Sequence, residues 1–352
     1  MPDTPPTPRP ADRPQGPRLA VLVVNYNGWA DVARLVGGLS TGDAVTSGRA
    51  EVVVVDNASD DPPPPALLGP IPHLSILRRP TNGGFSAGVN AGRLHTKAPW
   101  LLLLNPDVVA GPGFLDAVLA AIEARSADPA GVVGFGLRNA DGSRQPSVGA
   151  DPGLARSLRE AFIPRTRRKY QAESRVRPGA VPWVTGACAL VDAAMLDALG
   201  GMDEEFFLYY EEVALCRRAR DLGRRVEYDP SVEVVHLRPL QGREVSPTLR
   251  YVTRHSKLLY FRKHLPRWQF LGLSWAVGVE ARLRGWAARL GKRGDEAGSW
   301  RGVGRLAAAM RRGERIGGRE VLLRAEAAVG AGWKGPRRVV GRPIPTSKEQ
   351  TT

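Results

Sequence analysis

Two acidic elements far apart in the chain carry the residue types best suited to chemistry. Asn105-Pro106-Asp107 follows directly on the apolar run Trp100 to Leu104, and Glu211-Glu212 stands between aromatic Phe206-Phe207-Leu208-Tyr209-Tyr210 and Val213. A carboxylate closing a buried strand is well placed to hold a divalent cation, because hard cations prefer oxygen ligands. A second carboxylate opening a helix can take a proton from an incoming hydroxyl. Metal and base together are the minimum equipment for displacing a nucleoside diphosphate from a sugar. A single histidine, His236, closes a strand after two valines, and with Asp107 it would complete a carboxylate-plus-imidazole metal pair, the rest of the shell being diphosphate and water.

These residues need elements to hold them. Leu19 to Val24 and Val52 to Val55 are short apolar runs, closed by Asn25-Tyr26-Asn27-Gly28 and by Asp56-Asn57-Ala58-Ser59-Asp60. Such runs read as buried parallel strands. Trp29 to Leu39 between them has helical spacing, which gives a right-handed βαβ crossover. Leu74 to Leu77 reads as a third strand, and Ala87 to Leu94 as a helix entered from the Gly83-Gly84 turn. A helix start of that kind exposes backbone N–H groups to a phosphate or a ribose oxygen. Trp100 to Leu104 is the fourth strand, Gly113 to Arg125 an amphipathic helix and Ala130 to Gly134 another strand. Asn25, Asp56 and Asn105 then line one edge of a parallel sheet, where open α/β sheets bind ligands.

Further along, Asp151 to Pro182 reads as a mobile basic loop containing Arg165, Arg167, Arg168 and Lys169. Order returns with one strand over Trp183 to Val191, a helix over Ala193 to Leu199, a helix over Glu211 to Leu222 and a short strand over Val232 to Val235. Beyond Pro247 the pattern is mostly helical, with a disordered end expected after Arg337.

Composition bounds the alternatives. With 352 residues, 43% of them hydrophobic, the chain suffices for a large α/β domain with an appendage. Cys188 and Cys216 form no CxxC pair, and free thiols fit a cytosolic protein. Met1 to Arg18 is rich in Pro and Arg with no apolar core, which reads as a disordered leader, and no stretch is apolar enough to span a bilayer. From Arg238 to Thr352 there are 25 Lys+Arg against 8 Asp+Glu, so the net charge of +15 resides in the last third. That excess suits an anionic membrane, a phosphate-bearing acceptor or nucleic acid, or else is simply a solvated Arg-rich surface.

Taken together, Val23 to Gly28, Val53 to Ser59, Asn82 to Phe85 with Asn90-Ala91-Gly92, Leu103 to Asp107, Trp183 to Ala187, Gly201 to Glu204, Tyr210 to Glu212 and Val235-His236 resemble, in order, the motifs of inverting family 2 glycosyltransferases. The resemblance is nearest to the rhamnosyltransferases and galactofuranosyltransferases of bacterial cell-surface polysaccharide synthesis. It implies an α/β GT-A fold, Rossmann-like and mostly parallel, over 19–240. The leader 1–18 would precede it, and a basic helical region 241–336 and a disordered tail 337–352 would follow. The resemblance further implies a nucleotide-sugar site of Asn25, Asp56, Asn82, Asn90 and Asp107, with Mn or Mg on Asp107 and His236. Trp183, Gly186 and Glu211 would border the acceptor, and Glu212 would be the base. The implied donor is a dTDP- or UDP-sugar, and the implied acceptor a glycan or a polyprenyl-diphosphate-linked glycan. Work would be done in the cytoplasm at the inner face of the membrane, with nucleic acid no partner. Asn105 stands where many relatives carry aspartate, and Glu212 is one methylene longer than the usual aspartate. A sugar nucleotidyltransferase, or an inactive basic membrane- or nucleic-acid-binding homologue, is the competing reading.

Overall fold

The computed structural model describes residues 16–127, 129–160, 170, 176–238 and 246–329. The basic segment from Arg165 to Lys169, the leader up to residue 15 and the tail beyond Arg337 lie outside the described residues.

The apolar runs form β1 (Leu19–Asn25), β2 (Ala50–Asp56), β3 (Leu74–Arg78) and β4 (Trp100–Leu104), connected through α1 (Trp29–Ser40), the short α2 (Asp43–Thr46) and α3 (Phe85–His95). All four strands pair in parallel, in the order β3-β2-β1-β4, with Asn25 opposite Asp56. Their side chains alternate between two cores. Leu19, Val21 and Val23 join Val32, Leu35 and Val36 of α1 on one face, while Ala20 and Leu22 join Val89 of α3 on the other. Because both faces are covered, these strands are continuously hydrophobic.

The second half of the sheet is mixed. β5 (Val108–Val109), α4 (Phe114–Glu123), β6 (Val132–Arg138), β7 (Arg144–Gln145), β8 (Val148–Gly149) and α5 (Leu154–Glu160) follow in the chain. Next come β9 (Gly179–Ala180), β10 (Trp183–Val184), β11 (Cys188–Asp192), α6 (Ala193–Ala198), α7 (Glu211–Asp221) and β12 (Val226–His236). β11 runs antiparallel to both β4 and β6, so it stitches the parallel half to the parallel β6–β12 pair.

Three sequence expectations change here. The single strand over Trp183 to Val191 is two. β10 leaves the main sheet to pair with β8, because the Trp183 ring covers Gly149 where a Cβ would clash, and Thr185 N–H donates to Ser147 O at 2.8 Å. The expected loop from Asp151 contains α5, whose first residue Leu154 donates its N–H to Gln269 Oε1 at 2.9 Å. Finally, the short strand at Val232 to Val235 is the end of an eleven-residue β12. Its register shifts between Asp229 and Glu233, where Pro230 has no N–H to offer the ladder.

The basic region folds into α8 (Pro247–His264), α9 (Arg267–Leu290), α10 (Gly294–Arg311) and α11 (Arg319–Val329). Ser246 caps α8 by accepting the N–H of Leu249, and Pro247 sits in the first turn, where its missing N–H costs nothing. Leu258, Leu259, Tyr260 and Phe261 of α8 share one core with Phe206, Phe207 and Val213. The helices therefore buttress the same side of the sheet as α3 and α7.

Candidate active site

The carboxyl ends of β1, β2 and β4 fall along one edge, as the parallel register requires. At the first two, the polar side chains satisfy one another. Asn25 Nδ2 donates to Asp56 Oδ1 at 3.0 Å and to Ser59 Oγ at 3.2 Å, while Asn25 Oδ1 accepts the N–H of Gly28 at 3.0 Å. Asp56 Oδ2 also pairs with Arg78 Nε at 3.2 Å. Both Asn25 and Asp56 are fully buried, so here they lock the two strand-end turns together. Above them Tyr26 is held by Asn82, and burial together with Asp60 pushes its phenol above the usual range.

Asn82 Oδ1 accepts the N–H of Gly84 at 3.0 Å and shapes the turn into α3. Gly84 has φ 89°, and a Cβ there would lie 2.1 Å from Phe207 O, so only glycine fits. Asn57, given no role of its own within its motif, donates Nδ2 to Gly84 O at 2.8 Å and accepts from Arg79 Nη1 at 2.8 Å. Asn90 is likewise engaged in full. It donates to Met202 O at 2.9 Å and Glu204 Oε1 at 2.8 Å, and accepts the N–H of Met202 at 2.8 Å. It therefore clamps α3 to the loop that leads to Glu211.

At the end of β4 the arrangement differs. Asn105 N–H donates to Ala187 O at 3.0 Å, which brings this edge beside Gly186. The β12–β5 pairing places His236 opposite Val108 and so beside Asp107, with Nε2 3.3 Å from Asp107 Oδ1. Nε2 is buried and has no hydrogen bond. On the other side of the ring, Gln145 Nε2 lies 3.0 Å from Nδ1, and Gln145 Oε1 is buried without a partner. Arg238, two residues further on, brings Nε to 3.5 Å from Asp107 Oδ2 and bonds to Asp31 of α1.

Glu211 and Glu212 open α7 and are both buried. The two residues before them, Tyr209 and Tyr210, have φ of 66° and 68°. Consecutive left-handed non-glycine residues are strained, and such strain collects at functional sites. α8 stabilises the turn, with Ser256 Oγ donating to Leu208 O at 2.8 Å and Tyr260 packing 5.7 Å from the Tyr210 ring. Gly186 faces Glu212: a Cβ there would touch Glu212 Cβ at 3.7 Å and the Phe85 ring at 3.9 Å. Thus the start of α3, the β10–β11 loop and the start of α7 meet at one place. Trp183 does not line it openly. It is buried, donating Nε1–H to Ala150 O at 2.9 Å. Both cysteines are buried and free; burial raises both thiols, that of Cys216 to about 12, so neither is a nucleophile.

A profile of the family described as Glycosyltransferase like family 2 matches residues 17–269. The chain belongs to glycosyltransferase family 2. It is 31% identical over 288 residues to the N-acetylglucosaminyl-diphospho-decaprenol L-rhamnosyltransferase of Mycobacterium tuberculosis, covering 76% of this chain and 91% of that one. It is 26% identical over 266 residues to the low-salt glycan biosynthesis hexosyltransferase Agl10 of Haloferax volcanii, covering 73% and 80%. Among solved structures, S. aureus TarS superposes with a TM-score of 0.50 at 16% identity, over 88% of this chain and 53% of that one. The glycosyltransferase has the GT-A fold, and the family match extends through α8 to the start of α9.

Within this family 2 enzyme, Gln145 and Arg238 escaped the sequence reading, as did the contacts of Asn57 and the backbone strain at Tyr209-Tyr210. Arg238 had a signal, since it lies two residues beyond His236, just past the end of β12. Gln145 had none, because its two-residue strand carries no pattern.

Proposed function

We propose that this glycosyltransferase inverts the anomeric centre as it moves a rhamnose-like or other hexosyl group from a dTDP- or UDP-sugar to an acceptor hydroxyl. The acceptor is a glycan or a polyprenyl-diphosphate-linked glycan of the cell envelope, met at the cytoplasmic face of the membrane. The Mycobacterium tuberculosis relative, whose name specifies a diphospho-decaprenol substrate, supports that acceptor class. Carrying the reading is the placing of Asp107 beside His236 at the end of β4, and of Glu212 beside Gly186 at the start of α7.

The residues beside Asp107 fit a divalent ion such as Mn or Mg. His236 Nε2 is a buried atom lacking a hydrogen bond, and an acidic oxygen stands next to it. Among the described residues no group of three His, Cys, Asp or Glu side chains surrounds one point, so the protein would supply Asp107 and His236 and the donor diphosphate would complete the shell. When bound, the ion would supply Lewis-acid stabilisation of the departing diphosphate. Gln145 sets the imidazole for this. With its amide turned so that Oε1 accepts from Nδ1–H, Gln145 would leave the Nε2 lone pair on the side of Asp107, free for a cation. Arg238 adds a positive charge at the same place.

Glu212 takes the proton of the acceptor hydroxyl, as general base. Glu211 beside it orients the acceptor. Asn25, Asp56, Asn82 and Asn90 hold the nucleotide-sugar wall, and Trp183 and Gly186 the acceptor wall. A panel of nucleotide sugars, assayed with and without Mn2+ for nucleoside diphosphate release, tests the reading. Release of pyrophosphate instead would replace it with nucleotidyl transfer.

A further inference from the structure

α9 carries apolar residues on two opposite faces. Phe270, Leu273, Val277 and Ala281 turn inward, into the core shared with α8 and α10. On the other side Trp268, Trp275, Val279, Leu283, Trp286 and Leu290 are between 49% and 66% exposed. At about 100° per residue these six fall within an arc of about 80°, and at about 1.5 Å per residue they extend over about 33 Å. A helix that hides one apolar face in a core and shows water a second one is incomplete in solution.

The edges of this stripe are basic. Arg282 and Arg289 are exposed along one margin of the same helix, and the Arg311 guanidinium of α10 lies 4.2 Å from the Trp275 ring while donating to Ser274 O at 2.7 Å. Arg282 and Arg312 depress the Arg311 guanidinium further after burial, which marks how closely the cations gather. Tryptophan with arginine at the margin of an aliphatic strip is the composition of a helix lying in a membrane interface. No described helix is long and apolar enough to cross a bilayer, so this one would lie flat.

We infer that the outer face of α9 is the docking surface for an anionic lipid bilayer. A second copy of the chain fits worse, because a self-complementary contact would bring Arg282, Arg289 and Arg311 against their own counterparts. Nucleic acid would be met by a charged centre, whereas here the centre is aromatic and aliphatic and the charge is at the rim. The surface also connects with the acceptor side of the site. Gln269 and Gly272 at the start of α9 touch Leu154, and Ala150 just before it receives the Trp183 indole. Lipid held along α9 would thus run beside the wall through which a lipid-linked acceptor enters. This placement deepens the peripheral-membrane reading above and rests on it.

The full chain should float with vesicles of phosphatidylglycerol and phosphatidylcholine and be released by high salt. Trp268→Ser/Leu283→Ser/Trp286→Ser should lower the bound fraction at least tenfold, with its melting temperature and nucleoside diphosphate affinity unchanged, since all three residues are exposed. Its transfer to a short, water-soluble acceptor should also be retained, whereas transfer to vesicle-borne acceptor should fall. Vesicle binding that survives the triple substitution overturns the inference. So does a wild-type dimer in sedimentation velocity that the substitution dissociates without touching flotation. If wild type transfers no sugar to either acceptor, the functional reading fails, and flotation still judges the surface.

Discussion

The two ends of the active-site edge use the same residue types in opposite ways. At β1 and β2, Asn25 and Asp56 spend their polar atoms on each other, on Ser59, on Gly28 and on Arg78. At β4 and β12, Asp107, His236 and Gln145 come together with atoms of the histidine and the glutamine left over. A saturated network stabilises a wall; a buried unsatisfied atom is costly and persists where a ligand completes it. On the proposed function, the contrast separates residues that hold the shape of the strand-end edge from those that act at it. Substitutions at the first end should therefore be read in stability, and at the second in turnover or metal affinity.

The largest effect is expected of Glu212→Gln, at the start of α7 beside this edge. Transfer should fall by roughly a hundredfold or more, the scale of a general base, while donor affinity and melting temperature stay near wild type. Glu212→Asp, which shortens the reach, should retain part of the activity. Should Glu211→Gln abolish transfer and Glu212→Gln leave it intact, the base is Glu211. Asp107→Ala should likewise remove metal-dependent turnover with the fold retained.

Next in size is the histidine pair. Gln145→Leu leaves Asp107 and His236 in place but frees the imidazole tautomer, and Mn2+ affinity measured by calorimetry in the presence of nucleoside diphosphate should weaken by about tenfold or more. Unchanged affinity would show that Gln145 only fills space.

Asn25→Ala should behave in the opposite manner. It orphans Asp56 and the Gly28 N–H, and is expected to cost about 1–3 kcal/mol in denaturant unfolding. Any activity loss should track the folded fraction. If instead turnover collapses in a protein of normal stability, Asn25 belongs to the acting group and the division between the two ends fails.

The smallest effect concerns pH and the helices behind the site. Burial lowers His255 to about 4, with its Nε2 on Ile316 O at 2.7 Å. The folded pKa lies below the unfolded value of 6.5, so between the two the unfolded chain binds more protons. This contribution to stability is complete above about pH 6.5 and is lost as pH falls toward 4. His264, lowered mainly by burial, acts in the same direction. His255→Gln should flatten the decline over that window without abolishing it, as followed by thermal melting at successive pH values.

Much of this protein is written in short-range pattern. Continuous apolar runs ended by Asn or Asp specify four parallel strands and the edge at which their polar ends collect, because parallel strands must be covered on both faces. Glycine requirements such as Gly84 and the acidic start of α7 are equally local. The antiparallel insertion of β11 is not local, since Cys188 to Asp192 would be equally apolar in either direction. Nor is the α9 stripe, because Phe270 and Trp268 are alike in hydrophobicity and only packing into the shared core decides which is covered. What tertiary structure alone decided is which polar atoms have partners. Asn25 and His236 look equally available in sequence, yet whether Ser59 or Gln145 stands within 3.2 Å depends on strands that meet only after folding.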